Sequence, residues 1–320
     1  MKSESEHRLI ADIGGTNARF ALLSSTGQIS RQHTLACADY PDFVHAVTRY
    51  LQLADHPRIE EAAIAIANPI DGDKVKMTNH HWTFSIEQTR QTLNLKTLIF
   101  KNDLTALAMS IPDLDSKDLK QIGGEVIQKL LPLAVVAPGT GLGVSGLIKT
   151  GDRWIPLESE GGHVSLSPGN DHEIAILQYC RETYEHVSAE RLISGMGIQN
   201  LYSAVCDIEG ESPQKLSPVE ISRLAIAGDD RICEIALNTF CGLLGSVTGN
   251  LVLTLGAFGG AFIGGGIVPS LGNYLDTSLF RARFEAKGRF RERLSRVPVH
   301  VIHAKNPVLS GIGKVFDLSQ

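Results

Sequence analysis

Apolar residues in the first third of the chain fall into short runs of alternating character, separated by turn-forming residues. Leu9 and Ile10 lead into Asp12, two glycines follow, and alternation resumes from Ala18 to Leu23. Residues 8–13 and 18–23 therefore read as a strand, a tight turn and a returning strand. A third strand is predicted over 29–35, then an amphipathic helix after Pro41. Residues 62–67 read as a buried strand and 74–85 as a loop or short strand. A short helix over 86–93, a strand over 98–101 and a helix over 104–110 complete the series. This order predicts an α/β protein with a mixed sheet and helices packed on its faces.

A hydrophilic stretch rich in Asp and Lys, 112–121, marks a domain boundary. It divides a small α/β domain, 1–112, from a large one, 113–303, with a last helix at about 304–320 expected to return to the first. Beyond the boundary the opening pattern repeats. Residues 133–137 form a strand, Pro138–Gly139–Thr140–Gly141 a turn, and 143–148 the returning strand. Aligning Gly15–Thr16 with Gly139–Thr140 also superposes Leu23 on Leu147, so the repeat is one of pattern, with few identities. Two glycine–threonine hairpins, each opening a half, suggest a duplicated domain with a nucleotide held between the halves. Helices are predicted over 171–186, 197–206, 218–227 and 231–255, a strand running into Gly264–Gly265–Gly266, a strand over 297–302 and a helix over 308–318.

Composition narrows the classes. At 320 residues and 43% hydrophobic, the chain can build two moderate cores. A formal charge of −5 argues against a general nucleic-acid or anionic-membrane binder. Five dispersed cysteines (Cys37, Cys180, Cys206, Cys233, Cys241) lack any Cys-x-x-Cys and read as free thiols of a reducing compartment. The opening MKSESEHR is polar and carries no signal-peptide pattern, which predicts a cytoplasmic protein. No residue between Glu234 and Asp276 is charged, but glycines interrupt the run, so a buried helix and strand is preferred over a membrane span. Segment 281–296 carries seven basic residues against Glu285 and Glu292 and reads as a solvated helix face.

Five stretches carry candidate chemistry or can border a pocket. In Ala11–Asp12–Ile13–Gly14–Gly15–Thr16–Asn17 the glycines allow close approach of a ligand, and successive N–H groups favour an anion. Asp12 makes sense there if Mg²⁺ travels with the phosphates; a hairpin using Asp and Asn only for turn chemistry is the plain alternative. Lys101–Asn102–Asp103–Leu104 places an amide and a carboxylate where a strand ends and a helix begins, a favoured catalytic position. Asn102 can hold a hydroxyl and Asp103 take its proton, or Asp103 simply caps the helix. Glu158–Ser159–Glu160–Gly161–Gly162–His163 can fix a hydroxyl-rich molecule or be an ordinary loop. Glu190, in Ser188–Ala189–Glu190–Arg191, reads as a third sugar-holding carboxylate or a helix-face charge. The loop Thr78–Asn79–His80–His81–Trp82 can border a pocket, with Trp82 as core or lid packing.

Taken together, these motifs resemble the bacterial glucokinase family. Asp-Ile-Gly-Gly-Thr-Asn-Ala-Arg (12–19), Met-Thr-Asn-His (77–80), Asn-Asp (102–103), Gly-Thr-Gly-Leu-Gly (139–143), Glu-Gly-Gly-His (160–163), Ser-Ala-Glu-Arg (188–191) and Gly-Gly-Gly-Ile-Val-Pro (264–269) recur in the family's order over essentially the whole chain. The resemblance implies the duplicated actin-like ATPase (ribonuclease H-like) fold, two α/β domains around a central cleft, and a homodimer. It implies Asp103 as catalytic base, with Asn102, Glu160, His163 and Glu190 holding D-glucose. Residues Ala11, Asp12, Ile13, Gly14, Gly15 and Thr16 and the turn Gly139, Thr140, Gly141 would bracket the phosphates of ATP, with Gly265 and Gly266 near the adenosine and Asp12 orienting Mg²⁺. Ala11, where the family often has glycine, and Pro138 before the second turn depart from the pattern without removing a functional side chain. The cysteine-rich zinc motif of the related repressor and sugar-kinase group is absent, and no helix-turn-helix precedes the first strand. The expected activity is ATP:D-glucose 6-phosphotransferase. Its rivals are a kinase of another hexose or an N-acetylhexosamine, and a sugar-responsive regulator without turnover.

Overall fold

The computed structural model describes residues 7–78, 80–126 and 130–318, so Asn79 and the start of the MKSESEHR segment lie outside the described residues. The chain divides into two compact units, one running to Leu114 and resuming at Ala304, the other spanning Asp115–His303.

In the first unit, β1 (His7–Ile13), β2 (Asn17–Leu23) and β3 (Ile29–Ala36) form an antiparallel meander. Helix α1 (Phe43–Leu53) follows, then β4 (Ile59–Ile66), the small hairpin β5 (Lys74–Lys76) and β6 (Thr83–Ser85), α2 (Ile86–Thr92), β7 (Thr97–Asn102) and α3 (Asp103–Ser110). The sheet order is β3-β2-β1-β4-β7, with β4 parallel to both β1 and β7. Alternation in β1 and β2 sorts the two faces. Leu9, Ala11, Ile13, Ala18, Phe20 and Leu22 point to the side holding Phe43, Val47 and Tyr50 of α1, where Trp82 is also buried. Ile10, Ala21, Ala63 and Ala65 point the other way, against Ala106 and Met109 of α3 and Leu309 and Ile312 of the C-terminal helix Pro307–Gly313. That helix sits close to α3 because residue 311 is glycine. A Cβ there would overlap the carbonyl oxygen of Ala106.

The second unit repeats the arrangement. Its strands are β8 (Leu119–Gln121), β9 (Leu133–Pro138), β10 (Leu142–Thr150), β11 (Arg153–Leu157), β12 (Gly260–Ile263) and β13 (Val299–Ile302), in the order β11-β10-β9-β12-β13-β8. As in the first unit, a three-strand meander is followed by parallel partners: β9 pairs antiparallel with β10 and parallel with β12. Strand β8 adds an antiparallel edge. The two hairpins are not superposable residue for residue. Ile13 pairs with Ala18 across four turn residues, whereas Pro138 pairs with Leu142 across three. This doubled succession of strands is the duplicated actin-like ATPase architecture.

Helices α4 (Asp171–Arg181), α5 (Gly195–Glu209), α6 (Pro218–Ala227) and α7 (Arg231–Leu255) pack beside this sheet. Helix α7 is long and apolar enough to cross a membrane, but it is mostly buried inside the unit. Its glycines serve packing: a Cβ at Gly245 would overlap the carbonyl of Phe280 in the short helix Phe280–Glu285.

Two sequence expectations fail here for physical reasons. Helix α4 stops at Arg181 and does not reach 186, because Val187 and Ser188 leave it to pair with Ser165 and Leu166. The basic run 281–296 is not a solvated helix face. It breaks into Phe280–Glu285 and Arg291–Ser295, and its first cations turn inward. Arg281 binds Glu285 at 2.6 Å and the carbonyls of Ile122, Leu294, Ser295 and Val297, while Arg283 binds the buried Glu173 at 2.8 Å. Lys287 donates to the carbonyl of Ser246 at 3.0 Å. Among the basic residues of the run, Arg289, Arg291, Arg293 and Arg296 face solvent.

Candidate active site

The first unit gathers three of the predicted stretches at the carboxyl ends of β1, β4 and β7. Ile13, Ile66 and Asn102 occupy one row of the sheet, so the Asp12–Thr16 turn and the Asn102–Asp103 pair stand two strand spacings apart, about 10 Å. Ala11 and Ile13 are fully buried in the core and contribute backbone alone. The turn closes through Gly14 N–H donating to Asn17 O at 2.9 Å. It is backed by Cys37, whose N–H donates to Thr16 O at 2.9 Å and whose thiol reaches Gly14 O at 3.4 Å. Gly14 and Gly15 are half-buried and Thr16 is exposed.

Asp12 points to the same sheet face as Ile10, and across the hairpin Arg19 Nη1 donates to its Oδ2 at 3.0 Å. Burial raises the Asp12 carboxyl above its ordinary range, and the Arg19 charge and hydrogen bond only partly offset this. Such a desolvated carboxylate suits a cation brought in with a ligand. Mg²⁺ needs only one or two protein carboxylates when phosphates supply further oxygens. Among the described residues no three of His, Cys, Asp and Glu group as metal ligands. The donor set therefore fits a metal carried by a nucleotide.

At the end of β7, Asn102 is the N-cap of α3, its Oδ1 accepting Leu104 N–H at 2.8 Å. Asp103 is the first helical residue, and its Oδ1 lies 2.9 Å from the same N–H. The cap that the plain reading gave to Asp103 thus belongs to Asn102. The cap takes one lone pair of Asn102 Oδ1 and does not use its Nδ2 donors. Asn68, which the sequence did not single out, stands just beyond β4 at the same sheet edge. Its Oδ1 accepts both Thr78 N–H at 3.0 Å and Thr78 Oγ1 at 2.8 Å, fixing one end of the 77–82 loop. The Asn–Pro dipeptide at 68–69 was the available signal, a turn former after a buried strand. Trp82 belongs to the core, with its Nε1 donating to Tyr40 O at 3.0 Å.

The second unit brings its predicted residues together around Leu142, the first residue of β10. The turn closes by Gly139 N–H donating to Gly141 O at 2.8 Å. Glu190 lies in a short 3-10 turn, not on a helix face, and its Oε2 accepts Leu142 N–H at 2.9 Å. Glu160 precedes a second 3-10 turn, Gly161–His163, that rests on the same strand. A Cβ at Gly162 would overlap Leu142 O, and one at Gly161 would stand 2.7 Å from Val144 Cγ1, so the two glycines are required by this seat. The carbonyl of Val164 accepts Ala189 N–H at 2.9 Å, which joins the Glu160–His163 and Glu190 segments directly. His163 and Glu160 remain exposed. Gly265 has φ +76° and abuts Pro138 O, while Gly266 is open, so the triple glycine lies against the second turn. Thr140 is exposed at the tip.

The comparisons with known proteins agree on one family. The family described as Glucokinase matches residues 9–318. A protein of Neisseria meningitidis serogroup C named glucokinase is 49% identical over 310 residues, covering 97% of this chain and 94% of its own length. One of Aromatoleum aromaticum, also named glucokinase, is 49% identical over 319 residues, 98% and 96% of the two chains. Among solved structures, a glucokinase from an Antarctic psychrotroph superposes with TM-score 0.88 at 37% identity, covering 98% of this chain and 99% of that one. A Balamuthia mandrillaris glucokinase in complex with glucose shares the fold, with TM-score 0.81 at 19% identity over 97% of this chain and 93% of its own. With a match across both units and the family's motifs seated at two sheet ends, the chain belongs to the glucokinase family.

Proposed function

We propose that the protein transfers the γ-phosphoryl group of Mg-ATP to the 6-hydroxyl of D-glucose. The observation that carries this reading is the seating of Glu190 and Glu160–His163 on the strand that leaves the Gly139–Gly141 turn, in a chain whose relatives are named glucokinase. Sugar acceptors and a phosphate turn built on one strand suit a sugar and a nucleotide that must meet.

In this reading the sugar's O6 forms the new bond to the γ-phosphorus as the bond to the ADP oxygen breaks, and the O6 proton passes to the Asp103 carboxylate. Asn102 Nδ2, Glu160, His163 and the Glu190 carboxylate orient the other hydroxyls. The turn amides of residues 13–16 and 139–141 receive phosphate oxygens, and Gly265 and Gly266 leave room for the adenosine. Phosphoryl transfer depends on placement and charge neutralisation more than on covalent catalysis, which this set of groups supplies. Mg²⁺, arriving with the nucleotide, offsets phosphate charge; Asp12 is the carboxylate that would orient it. The working form is a cytoplasmic homodimer, checked by sedimentation equilibrium at assay concentrations.

A coupled assay of ADP formation with a panel of hexoses tests the reading. Glucose should give the highest kcat/KM, with dependence on added Mg²⁺. Preference for mannose or N-acetylglucosamine would move the assignment to another hexose kinase. Glucose binding without any ADP would leave a sugar-responsive regulator.

A further inference from the structure

Glu190 and the second turn are tied to each other twice. Leu142 N–H donates to Glu190 Oε2 at 2.9 Å. Five residues after Glu190, Gly195 N–H donates to Gly139 O at 2.9 Å, at the start of α5. Ser194, the N-cap of α5, closes the segment by donating its hydroxyl to Glu190 O at 2.8 Å. Residues 139–142 and 190–195 thus form one hydrogen-bonded piece. Gly141 lies at its tightest point. Its φ is not left-handed, so backbone conformation does not demand glycine there. What glycine provides is room for the carboxylate: a Cβ would run into Glu190 Oε2 and lie 3.2 Å from its Cδ, so the end of that side chain would have to move. Gly139, two residues earlier in the same turn, has nothing within 4 Å of the corresponding position.

We propose that Gly141 is a positioning residue for the sugar, and that the Leu142 N–H···Glu190 bond couples sugar binding to nucleotide binding. The inference rests on the assignment of Glu190 to glucose and of the turn to ATP. Glycine at 141 lets the carboxylate dock on the Leu142 amide with Oε2, which leaves Oε1 for a sugar hydroxyl. A sugar that holds Glu190 fixes the turn from one side, and phosphates on the turn fix Glu190 from the other. The ligand that binds second finds the shared piece already ordered, so each tightens the other, and by the same factor.

Glucose and the non-hydrolysable analogue Mg-AMPPNP, titrated separately and together by calorimetry, test this. For the wild-type protein, saturating analogue should tighten glucose binding at least threefold, and glucose should tighten the analogue equally. Gly141→Ala should weaken glucose binding tenfold or more with no nucleotide present. Glu190→Ala should weaken analogue binding at least threefold with no sugar present, because the Leu142 amide loses its acceptor. Unchanged glucose affinity in a folded Gly141→Ala protein, or unchanged analogue affinity in Glu190→Ala, overturns the inference. If Gly141→Ala does not fold, the Glu190→Ala arm decides alone. Failure of wild-type protein to bind glucose at all would instead overturn the functional reading on which the inference stands.

Discussion

Arg19 meets Asp12 across the first hairpin, Nη1 to Oδ2 at 3.0 Å, on the face of the sheet that α3 covers. The pair leaves Asp12 only 14% exposed, and burial outweighs the guanidinium in setting its proton affinity. A carboxyl whose pKa is raised by folding binds more protons folded than unfolded between the two values. Its ionisation therefore costs stability as pH rises through that window, and the cost vanishes in acid. Asp12→Asn should accordingly match or exceed the wild-type thermal midpoint at pH 7, with the difference shrinking toward pH 4, while kcat/KM for Mg-ATP falls at least tenfold. Differential scanning fluorimetry across pH checks the first part. A variant much less stable than wild type at pH 7 would make the Asp12–Arg19 pair a purely structural one.

Glu160 is the proposed sugar acceptor whose loss should leave nucleotide binding nearly unchanged. Replacing it with Gln removes a charged acceptor while keeping the Gly161–Gly162 seat. Loss of one charge-assisted hydrogen bond costs roughly 1.5–3 kcal/mol, or about 10- to 150-fold in the glucose KM. The KM for ATP should move less than threefold. Steady-state kinetics with each substrate varied in turn decides it, and an unchanged glucose KM would reduce the Glu-Gly-Gly-His stretch to a loop.

The inward cations predict an uneven cost along the basic run. Glu173 is buried and Arg283 largely so, and Glu173 also accepts Gly169 N–H at 2.6 Å. Removing one partner leaves a charge without water, so Arg283→Ala should destabilise by about 3–5 kcal/mol. Arg296 pairs with Glu292 at 2.8 Å in solvent, and Arg296→Ala should cost no more than about 0.5 kcal/mol. Urea denaturation of both variants makes the comparison.

Gly311 predicts a packing effect in the first unit. Its Cβ position is occupied by the carbonyl of Ala106, so Gly311→Ala must push the C-terminal helix off α3. Overpacking of this kind costs about 1–3 kcal/mol. Because α3 begins at Asp103, kcat should fall along with the thermal midpoint. A stable variant with lowered kcat, or the reverse, would show that the two helices are less coupled than their spacing implies.

Much of this architecture is legible in the sequence, for a local reason. The meanders at 7–36 and 133–157 and helices such as α6 and α7 follow from alternation, helical periodicity and caps within a few residues. Features that depend on distant partners are not legible. Glu190 reads as a possible surface charge because its partner amide, Leu142, is 48 residues away. Arg281 and Arg283 read as solvated because their acceptors belong to other segments. In the sequence the cap falls to Asp103, because one residue's difference in where a helix begins is invisible to pattern. Arg19 stands inside the first motif, yet only the strand register aims it at Asp12.

In the proposed reaction, transfer of the sugar's 6-hydroxyl proton to Asp103 is the step on which turnover depends. With Asn102 capping the helix, and Asn able to keep the Oδ1 contact to Leu104 N–H, Asp103→Asn keeps the shape of the helix start while removing the carboxylate base. The decisive measurement is kcat of Asp103→Asn beside its glucose Kd from calorimetry. Glucose should bind within about threefold of wild type while kcat falls by about 10²–10⁴, the usual contribution of a positioned general base. A variant that binds glucose and retains a third or more of the wild-type kcat would show that Asp103 is not the base.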